Sequence, residues 1–253
     1  MRSRQIFGKD KRYFPVLDST NREAWRMLQQ GSADEGTVVV AGFQTHGRGQ
    51  GDTQWESENG KNLCVSAILK PSFLAPDQQF YLNKSIALAV AEAVRQTLPG
   101  RRVRIKWPND IYVENDKIAG ILIENAIIGS RLAHSIAGIG INVNQLRFDP
   151  QIPNAVSVAQ LTGRTADLQL CLDRICKTLD HWYAMLASKQ NGKIDKAYLE
   201  ILFGLGERRP FHRRGNRFYA TLIGLTREGR LVLQLDGGSQ ESFDMKEVGF
   251  LFD

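Results

Sequence analysis

Cysteine is scarce in this 253-residue sequence, which contains only Cys64, Cys171 and Cys176. No two of them have the CxxC spacing of redox or zinc motifs, and an odd number cannot all pair with one another. Each lies in an apolar stretch, where a free cysteine behaves as a small buried hydrophobic residue. The sequence therefore predicts three buried free thiols and a reducing compartment, the cytoplasm.

Long apolar runs and targeting segments are also missing. The opening residues, MRSRQIFGKDKRYF, lack the apolar core of a secretion signal, and no stretch is long enough to span a bilayer. No internal repeat and no low-complexity linker is present. A chain of this length holds one good-sized domain plus a small one, and we expect no membrane partner.

Concentrated positive charge is absent, although the net charge is +6 and the sequence pI is about 9.3. The basic residues are scattered, and clusters such as Arg101-Arg102 and Arg213-Arg214 are short. This balance suits acidic or phosphate-bearing partners without choosing among them. A nucleic-acid-binding module would need a basic stripe with interleaved exposed aromatic residues, so that function is disfavoured.

The first two thirds of the chain alternate between strand-like and helix-like patterns. Thr20 and Glu23 have the spacing of a capping box, which predicts a helix that ends near Gly31. Apolar runs and turn residues predict the following elements: strands over 37–41 and 63–69, a helix from Asp77 to Pro99-Gly100, strands over 103–105 and 111–113, a hairpin over 118–128 and 132–143 turned at Gly129-Ser130, and a helix from Asp167.

The pattern changes after Leu205 to short strands separated by turns. These strands are predicted over 219–225, 231–235, 242–245 and 248–252. A tail of this size without a helix is typical of a small β-barrel. We therefore expect a catalytic domain over 1–205 and a small barrel domain over 206–253.

A glycine-rich loop from Gly47 to Gly60 is the first candidate site. It matches neither the Walker phosphate loop nor the dinucleotide fingerprint, because the required lysine-hydroxyl ending and GxGxxG spacing are missing. Glycines allow the backbone to close on a ligand, and Arg48 offers a fork of donors for carboxylate or phosphate. Trp55 supplies either a hydrophobic wall or an anchor to the core. The alternative is a mobile surface loop.

A stronger candidate is the segment Lys106-Trp107-Pro108-Asn109-Asp110, which lies between two apolar strands. Lys106 could neutralise a transferring phosphoryl group, while Asn109 or Asp110 could hold Mg²⁺ or a ribose. The alternative is a charged strand end with a proline turn. Further on, Lys117 leads into a strand in which Gly120 permits close approach of a ligand.

Two other polar segments have double interpretations. Ser19, Thr20 and Asn21 suit either a helix cap or the recognition of a compact, neutral polar ring. Asn142 and Asn144 would point the same way on a strand, where they either contact a nucleotide or shape a turn.

Together and in this order, these segments resemble the biotin–protein ligase family. The matching motifs are DSTN (18–21), FQTHGRGQ (43–50), WESENGKNL (55–63), KWPNDIYV (106–113), KIAGILIE (117–124) and GIGINVN (138–144). The combination of KWPND with KxAGIL is highly specific, whereas GRG alone is not. The resemblance implies an α+β fold, with a mixed sheet backed by helices and a C-terminal barrel of the Src-homology-3 type.

The resemblance also implies a reaction in which biotin is adenylated with ATP and Mg²⁺ and then transferred to a lysine of a biotin carboxyl carrier protein. The resemblance assigns the ureido ring of biotin to Ser19, Thr20, Asn21 and Gln44, closure on biotin and the adenylate to Arg48, Gly49 and Gln50, and the reacting carboxylate and phosphate to Lys106. With the residue patterns above, we expect a further biotin contact at Gly120, nucleotide contacts at Arg48, Trp55, Asn109, Asp110, Lys117 and Asn142, and catalytic roles for Lys106 and Arg48. The metal ligands are left open, and so is the oligomeric state, for which a homodimer is one option.

Two departures from the family pattern stand out. The segment Gly51-Asp52-Thr53-Gln54 is less basic than this loop often is in relatives, which predicts a weaker hold on the adenylate. Only a short tail precedes Asp18, so we expect no helix-turn-helix and no DNA partner. The nearest alternative function is a lipoate ligase or octanoyltransferase of the same fold. The polar set of Ser19, Thr20, Asn21 and Gln44 favours a ureido ring over a plain acyl chain.

Overall fold

A computed structural model describes residues 5–51, 53–150, 152 and 154–252 of the chain. Its strands are β1 (Lys11–Leu17), β2 (Val38–Gln44), β3 (Leu63–Leu69), β4 (Val103–Lys106), β5 (Asp110–Val113), β6 (Asp116–Ile128), β7 (Arg131–Ile141), β8 (Arg208–Arg213), β9 (Asn216–Leu225), β10 (Leu231–Leu235), β11 (Gln240–Phe243) and β12 (Gly249–Phe250). Its α-helices are α1 (Thr20–Gln29), α2 (Gln79–Thr97), α3 (Val158–Thr162), α4 (Leu168–Ala187) and α5 (Asn191–Glu200).

The larger sheet has seven strands in the order β1-β2-β3-β7-β6-β5-β4. β1 and β2 are parallel, and every other neighbouring pair is antiparallel, so the sheet is mixed as expected. The hairpin of β6 and β7 is its longest pairing, running from Ala119 opposite Ile141 to Ile128 opposite Arg131. This hairpin confirms the predicted turn at Gly129-Ser130.

Helices cover both faces of the larger sheet. Successive side chains of a strand point to opposite faces. On β3, Val65 and Leu69 belong to the core that includes α2 and α4, whereas Ile68 packs with α1 against Met27. Burial on both faces explains why residues 63–69 form one continuous apolar run instead of an alternating pattern.

The second sheet is built from residues 208–250 and has five antiparallel strands in the order β11-β10-β9-β8-β12. It confirms the expectation of a small C-terminal β-domain of the Src-homology-3 type. The indole Nε1 of Trp107 donates to the carbonyl of Gly229 at 2.8 Å, and Leu205 bridges to Leu222. The domain boundary at residue 205 stays a prediction.

Several local predictions differ from the structure. The N-cap of α1 is Ser19, whose side chain makes no capping hydrogen bond, so the capping box of Thr20 and Glu23 is wrong. Glu23 instead pairs with Arg26 at 2.9 Å. Asp77 lies in a single 3-10 turn before α2. Four elements had no sequence prediction, namely β1, α3, α5 and β8.

The cysteine prediction is confirmed, since all three thiols are free and buried. Within the described ranges, no helix has both the length and the apolar character needed to cross a membrane.

Replacing Trp107 by phenylalanine is expected to lower the free energy of unfolding by about 1–3 kcal/mol, because the buried Gly229 carbonyl would lose its donor. Urea titration measures the change. Trp25→Phe is the matched control, since no hydrogen bond from the Trp25 indole is seen among the described residues. Equal losses in the two variants would contradict the docking role of Trp107.

Candidate active site

A cavity of about 430 Å³ lies on the face of the larger sheet that carries α1. Its floor is formed by β6 and β7, where Gly120 lies opposite Gly140 and Leu122 lies opposite Gly138. Glycines at these positions leave the backbone bare, so that side chains and ligands can lie directly on the strands.

The geometry around these glycines shows what the space holds. A methyl group on Gly140 would collide with the indole of Trp55, and one on Gly138 would collide with the amide of Asn21. At Gly120 the nearest atom is Trp55 Cζ3, which would lie 3.1 Å away. Trp55 therefore forms a wall directly over the floor, and Asn21 approaches it from α1.

The predicted ring-binding residues form a buried polar network at one end of the cavity. Gln44 Oε1 accepts from the backbone N–H of Thr20 at 2.8 Å and from its hydroxyl at 3.1 Å. Ser66 Oγ lies 2.7 Å from Thr20 Oγ1 and donates to Asn21 Oδ1 at 2.6 Å. Ser19, Thr20 and Asn21 are each less than 5% exposed. The structure thus brings the whole predicted set together.

Asp18 fixes the start of this segment. Its carboxylate accepts from the backbone N–H of Ser19 at 2.8 Å and forms an ion pair with Arg26 at 2.7 Å. The guanidinium of Arg26 holds the pKa of Asp18 down to about 2. Asp18 therefore holds the start of α1 in place from behind the cavity and is not among the lining residues.

Glu124 on β6 connects two lining residues at the same end. Its Oε1 accepts from Arg48 Nη1 at 2.7 Å, and its Oε2 accepts from Asn21 Nδ2 at 2.8 Å. Arg48 therefore lies over the polar end of the cavity and is paired with a protein carboxylate, whereas the loop interpretation had offered its guanidinium to a ligand carboxylate or phosphate.

The loop that carries Arg48 has its own backbone order. The N–H of Gly49 donates to Thr53 at 2.8 Å, and the N–H of Trp55 donates to Gly47 at 3.0 Å. The tip of the loop reaches the connection between β11 and β12, where Gln50 Nε2 contacts Met245 Sδ at 2.7 Å. Gly49 and Gln50 both line the cavity. Asp52, part of the weakly basic segment, lies outside the described residues.

A charged pair marks the other end of the cavity. Lys117 Nζ lies 2.7 Å from Asp110 Oδ1 and 5.9 Å from the centre of the Trp55 ring. Asn109 donates from Nδ2 to the carbonyl of Ile121, and Asn142 donates from Nδ2 to the carbonyl of Val156 at 3.1 Å. All four predicted residues, Asn109, Asp110, Lys117 and Asn142, line the cavity.

Lys106 is the departure from the predicted site. It ends the edge strand β4 and is not among the lining residues. Its Nζ lies over three aromatic rings, at 5.7 Å from Tyr112, 5.3 Å from Phe250 and 5.8 Å from Phe252. Burial lowers the pKa of Lys106, and the nearby Asp110 opposes this. The amine is thus engaged with the C-terminal segment, and Lys117 is the lysine that reaches the cavity.

Sequence reasoning missed several residues that shape the site. Ser66 and Glu124 lie behind the lining side chains, and on a single sequence they read only as polar positions within strands. Phe148 and Ile152 line the cavity from the connection between β7 and α3, which no pattern indicated. Asn144 is held away from the cavity by paired bonds with Ala166 at 2.8 and 2.9 Å, which is the turn-shaping alternative.

Residues 13–142 match the model of the Biotin/lipoate A/B protein ligase family. The chain belongs to this family. The matched segment includes both ends of the cavity, from Ser19 to Asn142. Two curated members have the same level of identity, 31%. They are the bifunctional ligase/repressor BirA of Bacillus subtilis, matched over 94% of this chain and 74% of that protein, and the biotin–[acetyl-CoA-carboxylase] ligase of Paracoccus denitrificans, matched over 88% and 93%.

Among solved structures, the fold of this family member is similar to that of the biotin protein ligase from Aquifex aeolicus in complex with biotin and ATP. The TM-score is 0.80 at 25% sequence identity, and the match covers 97% of this chain and 100% of the other. The similarity therefore includes both sheets.

Proposed function

We propose that this chain is a biotin–protein ligase, which activates biotin with ATP to biotinyl-5′-AMP and transfers the biotinyl group to a lysine of a biotin carboxyl carrier protein. The observation that carries the proposal is a single cavity with a neutral polar end and a charged end. Its relatives include biotin ligases, and one similar structure contains both biotin and ATP.

The polar end suits the ureido ring of biotin. Thr20, Asn21 and Gln44 offer neutral hydrogen-bonding groups in fixed positions, and buried polar groups of this kind orient a ligand. Between the two ends, the indole of Trp55, which lies directly on Gly120 and Gly140, makes an apolar wall for the hydrocarbon chain. Biotin would thus point its carboxylate toward Lys117 and Asp110.

The charged end suits the adenylation step. The biotin carboxylate attacks the α-phosphate and pyrophosphate leaves, so two anions must approach each other. Lys117 is placed to neutralise this repulsion, whereas Arg48, which the sequence had also assigned to this step, is paired with Glu124 at the polar end. Asn109 and Asn142 provide amides for the nucleotide. We transfer to Lys117 the role that the sequence had assigned to Lys106.

The oxygen ligands at the charged end of the cavity are of the kind that Mg²⁺ prefers. Mg²⁺ is usually bound by substrate phosphates with one or two protein carboxylates. Asp110 is the carboxylate that would reach it, since Asp110 lines the cavity beside Lys117. A bound Mg²⁺ would supply additional charge neutralisation at the phosphates.

The second step needs no nucleophile from the ligase. The amine of the acceptor lysine attacks the carbonyl of the mixed anhydride, AMP leaves, and the amine loses a proton to water. Water would also hydrolyse the anhydride, so the loop of residues 47–55 must cover it until the acceptor arrives. The buried free cysteines fit a cytoplasmic enzyme. A DNA partner is not part of this proposal, and a homodimer is compatible with it.

We expect the protein to release pyrophosphate when it is given biotin, ATP and Mg²⁺, and to release little with lipoate or octanoate. The physical reason is the polar end, because a plain acyl chain offers no hydrogen bond to its polar side chains and would bury them against apolar atoms. A coupled pyrophosphate assay with the three acids measures this. Release with lipoate or octanoate, and none with biotin, would replace the proposed function by the alternative one.

A further inference from the structure

Glu124 is a charged residue at the cavity to which no role has been assigned. Along β6 it has the same side-chain direction as Gly120 and Leu122, which belong to the cavity floor. It is opposite Ile136 on β7, and its side chain is 23% exposed. The carboxylate does not line the cavity itself, but it touches two side chains that do.

Each oxygen of this carboxylate has a different partner. Oε1 holds Arg48 of the glycine-rich loop at 2.7 Å, and Oε2 holds Asn21 of α1 at 2.8 Å. Arg48 makes no other side-chain hydrogen bond or ion pair among the described residues. The backbone of Arg48 is ordered by its bridge to Gln54, and Glu124 is the main restraint on its guanidinium.

The contact also fixes which way the amide of Asn21 points. A carboxylate accepts hydrogen bonds only, so Nδ2 must face Glu124 and Oδ1 must face Ser66. Ser66 Oγ is next to Thr20, whose hydroxyl reaches Gln44. Glu124, together with the Leu122 carbonyl that accepts from Nδ2 at 3.4 Å, thereby sets the donor and acceptor sides of Asn21, whereas the backbone N–H of Thr20 orients Gln44.

We propose that Glu124 is a positioning residue that determines recognition of the neutral, N–H-bearing head group of the substrate, by holding Arg48 and Asn21 from one carboxylate. The head-group identity rests on the proposed function. The physical link between the loop and the polar end does not rest on the proposed function, because it follows from the contacts of Glu124 with Arg48 and Asn21. Loop closure and correct presentation of Asn21 depend on the same side chain.

The test compares Glu124→Gln with the parent. The amide keeps one acceptor oxygen, replaces the other by an NH2 donor and carries no charge, so the ion pair with Arg48 is lost and one of the two partners faces a donor. We expect KM for biotin to rise about tenfold, the effect of one charge-assisted hydrogen bond, with KM for ATP changed less than twofold. Glu124→Asp, which keeps the charge, should recover part of the affinity. Asp236→Asn is the matched control, because it breaks an Arg–carboxylate pair of the second sheet.

A double-mutant cycle with Arg48→Ala tests the route of action. If Glu124 acts partly through Arg48, the double variant should be less impaired than the product of the two single effects. Equal rises in both KM values together with a lower melting temperature would show a merely structural role and overturn the proposal. An unchanged KM for biotin in Glu124→Gln would also overturn the proposal. So would a double variant whose impairment equals the product of the two single effects.

A second readout does not depend on the reaction. Trypsin cleavage after Arg48 in the protein without substrates should be several-fold faster in Glu124→Gln than in the parent, because the Arg48 side chain loses its ion pair and becomes available to the protease. If Glu124→Gln is cleaved faster than the parent but the parent does not use biotin, the proposed function is wrong and the positioning role stands. If the two proteins are cleaved at the same rate and the parent does use biotin, only the positioning role is wrong.

Discussion

Replacing Lys117 by alanine is expected to lower the rate of biotin adenylation by about 100- to 1000-fold, the usual loss when one preorganised charge donor is removed. Lys117 Nζ is in the cavity and 2.7 Å from Asp110, at the end where the carboxylate and phosphate would meet. Biotin binding should suffer less, because the polar network around Thr20 and Asn21 is untouched. A time course of pyrophosphate release gives the rate.

Lys106→Ala is the matched control for this prediction. Its amine faces Tyr112, Phe250 and Phe252 instead of the cavity, so its loss should impair adenylation far less than the loss of Lys117. A larger defect in Lys106→Ala than in Lys117→Ala would restore the role that the KWPND motif suggested. It would also mean that the lysine leaves its aromatic surroundings during the reaction.

Substituting Gly138 by alanine is expected to weaken biotin binding by about 30- to 150-fold. The added methyl would occupy the place of the Asn21 amide, which is held by Ser66 at 2.6 Å and Glu124 at 2.8 Å. Losing both hydrogen bonds corresponds to about 2–3 kcal/mol. Isothermal titration calorimetry with biotin alone measures the affinity without involving ATP.

The control for crowding is Gly192→Ala in α5, where a methyl meets no atom within 4 Å and the backbone is not in the left-handed region. This variant should bind biotin as tightly as the parent. If Gly138→Ala bound biotin normally, Asn21 would not be needed where the structure places it. The polar end would then have to recognise its ligand through Thr20 and Gln44 alone.

The elements that could be predicted are those whose pattern is local. The continuous apolar run of residues 63–69 gave β3 with correct ends, and Gly129-Ser130 gave the turn between β6 and β7. Asp167 was expected to start a helix, and its side chain caps α4 by accepting from Gln169 and Leu170. Such signals depend on neighbours in sequence, and a single chain displays them.

The elements that were missed depend on distant partners. β1 has an exposed Tyr13 and Val16 and a proline, so it lacks a strand pattern of its own. It exists because it pairs in parallel with β2 and because Lys11 reaches Asp173 on α4 at 2.6 Å. No window of sequence around β1 contains this information.

The site residues also fall into those that local motifs could predict and those that depend on distant partners. The motifs indicated Thr20, Gln44, Arg48, Asp110 and Lys117 as site residues, and the structure places all five in the lining of one cavity. They could not tell whether Lys106 or Lys117 faces the cavity, because that depends on where the C-terminal segment packs. Phe250 and Phe252 are more than 140 residues away from Lys106 in the chain, and they decide it.

The most direct test of the central claim is the intact mass of a biotin carboxyl carrier domain after incubation with this protein, ATP, Mg²⁺ and an equimolar mixture of biotin, lipoate and octanoate. We predict the gain of a single biotinyl group, on one lysine and only when ATP is present, with the gain strongly reduced by Lys117→Ala. A lipoyl or octanoyl gain in place of the biotinyl gain would contradict the account.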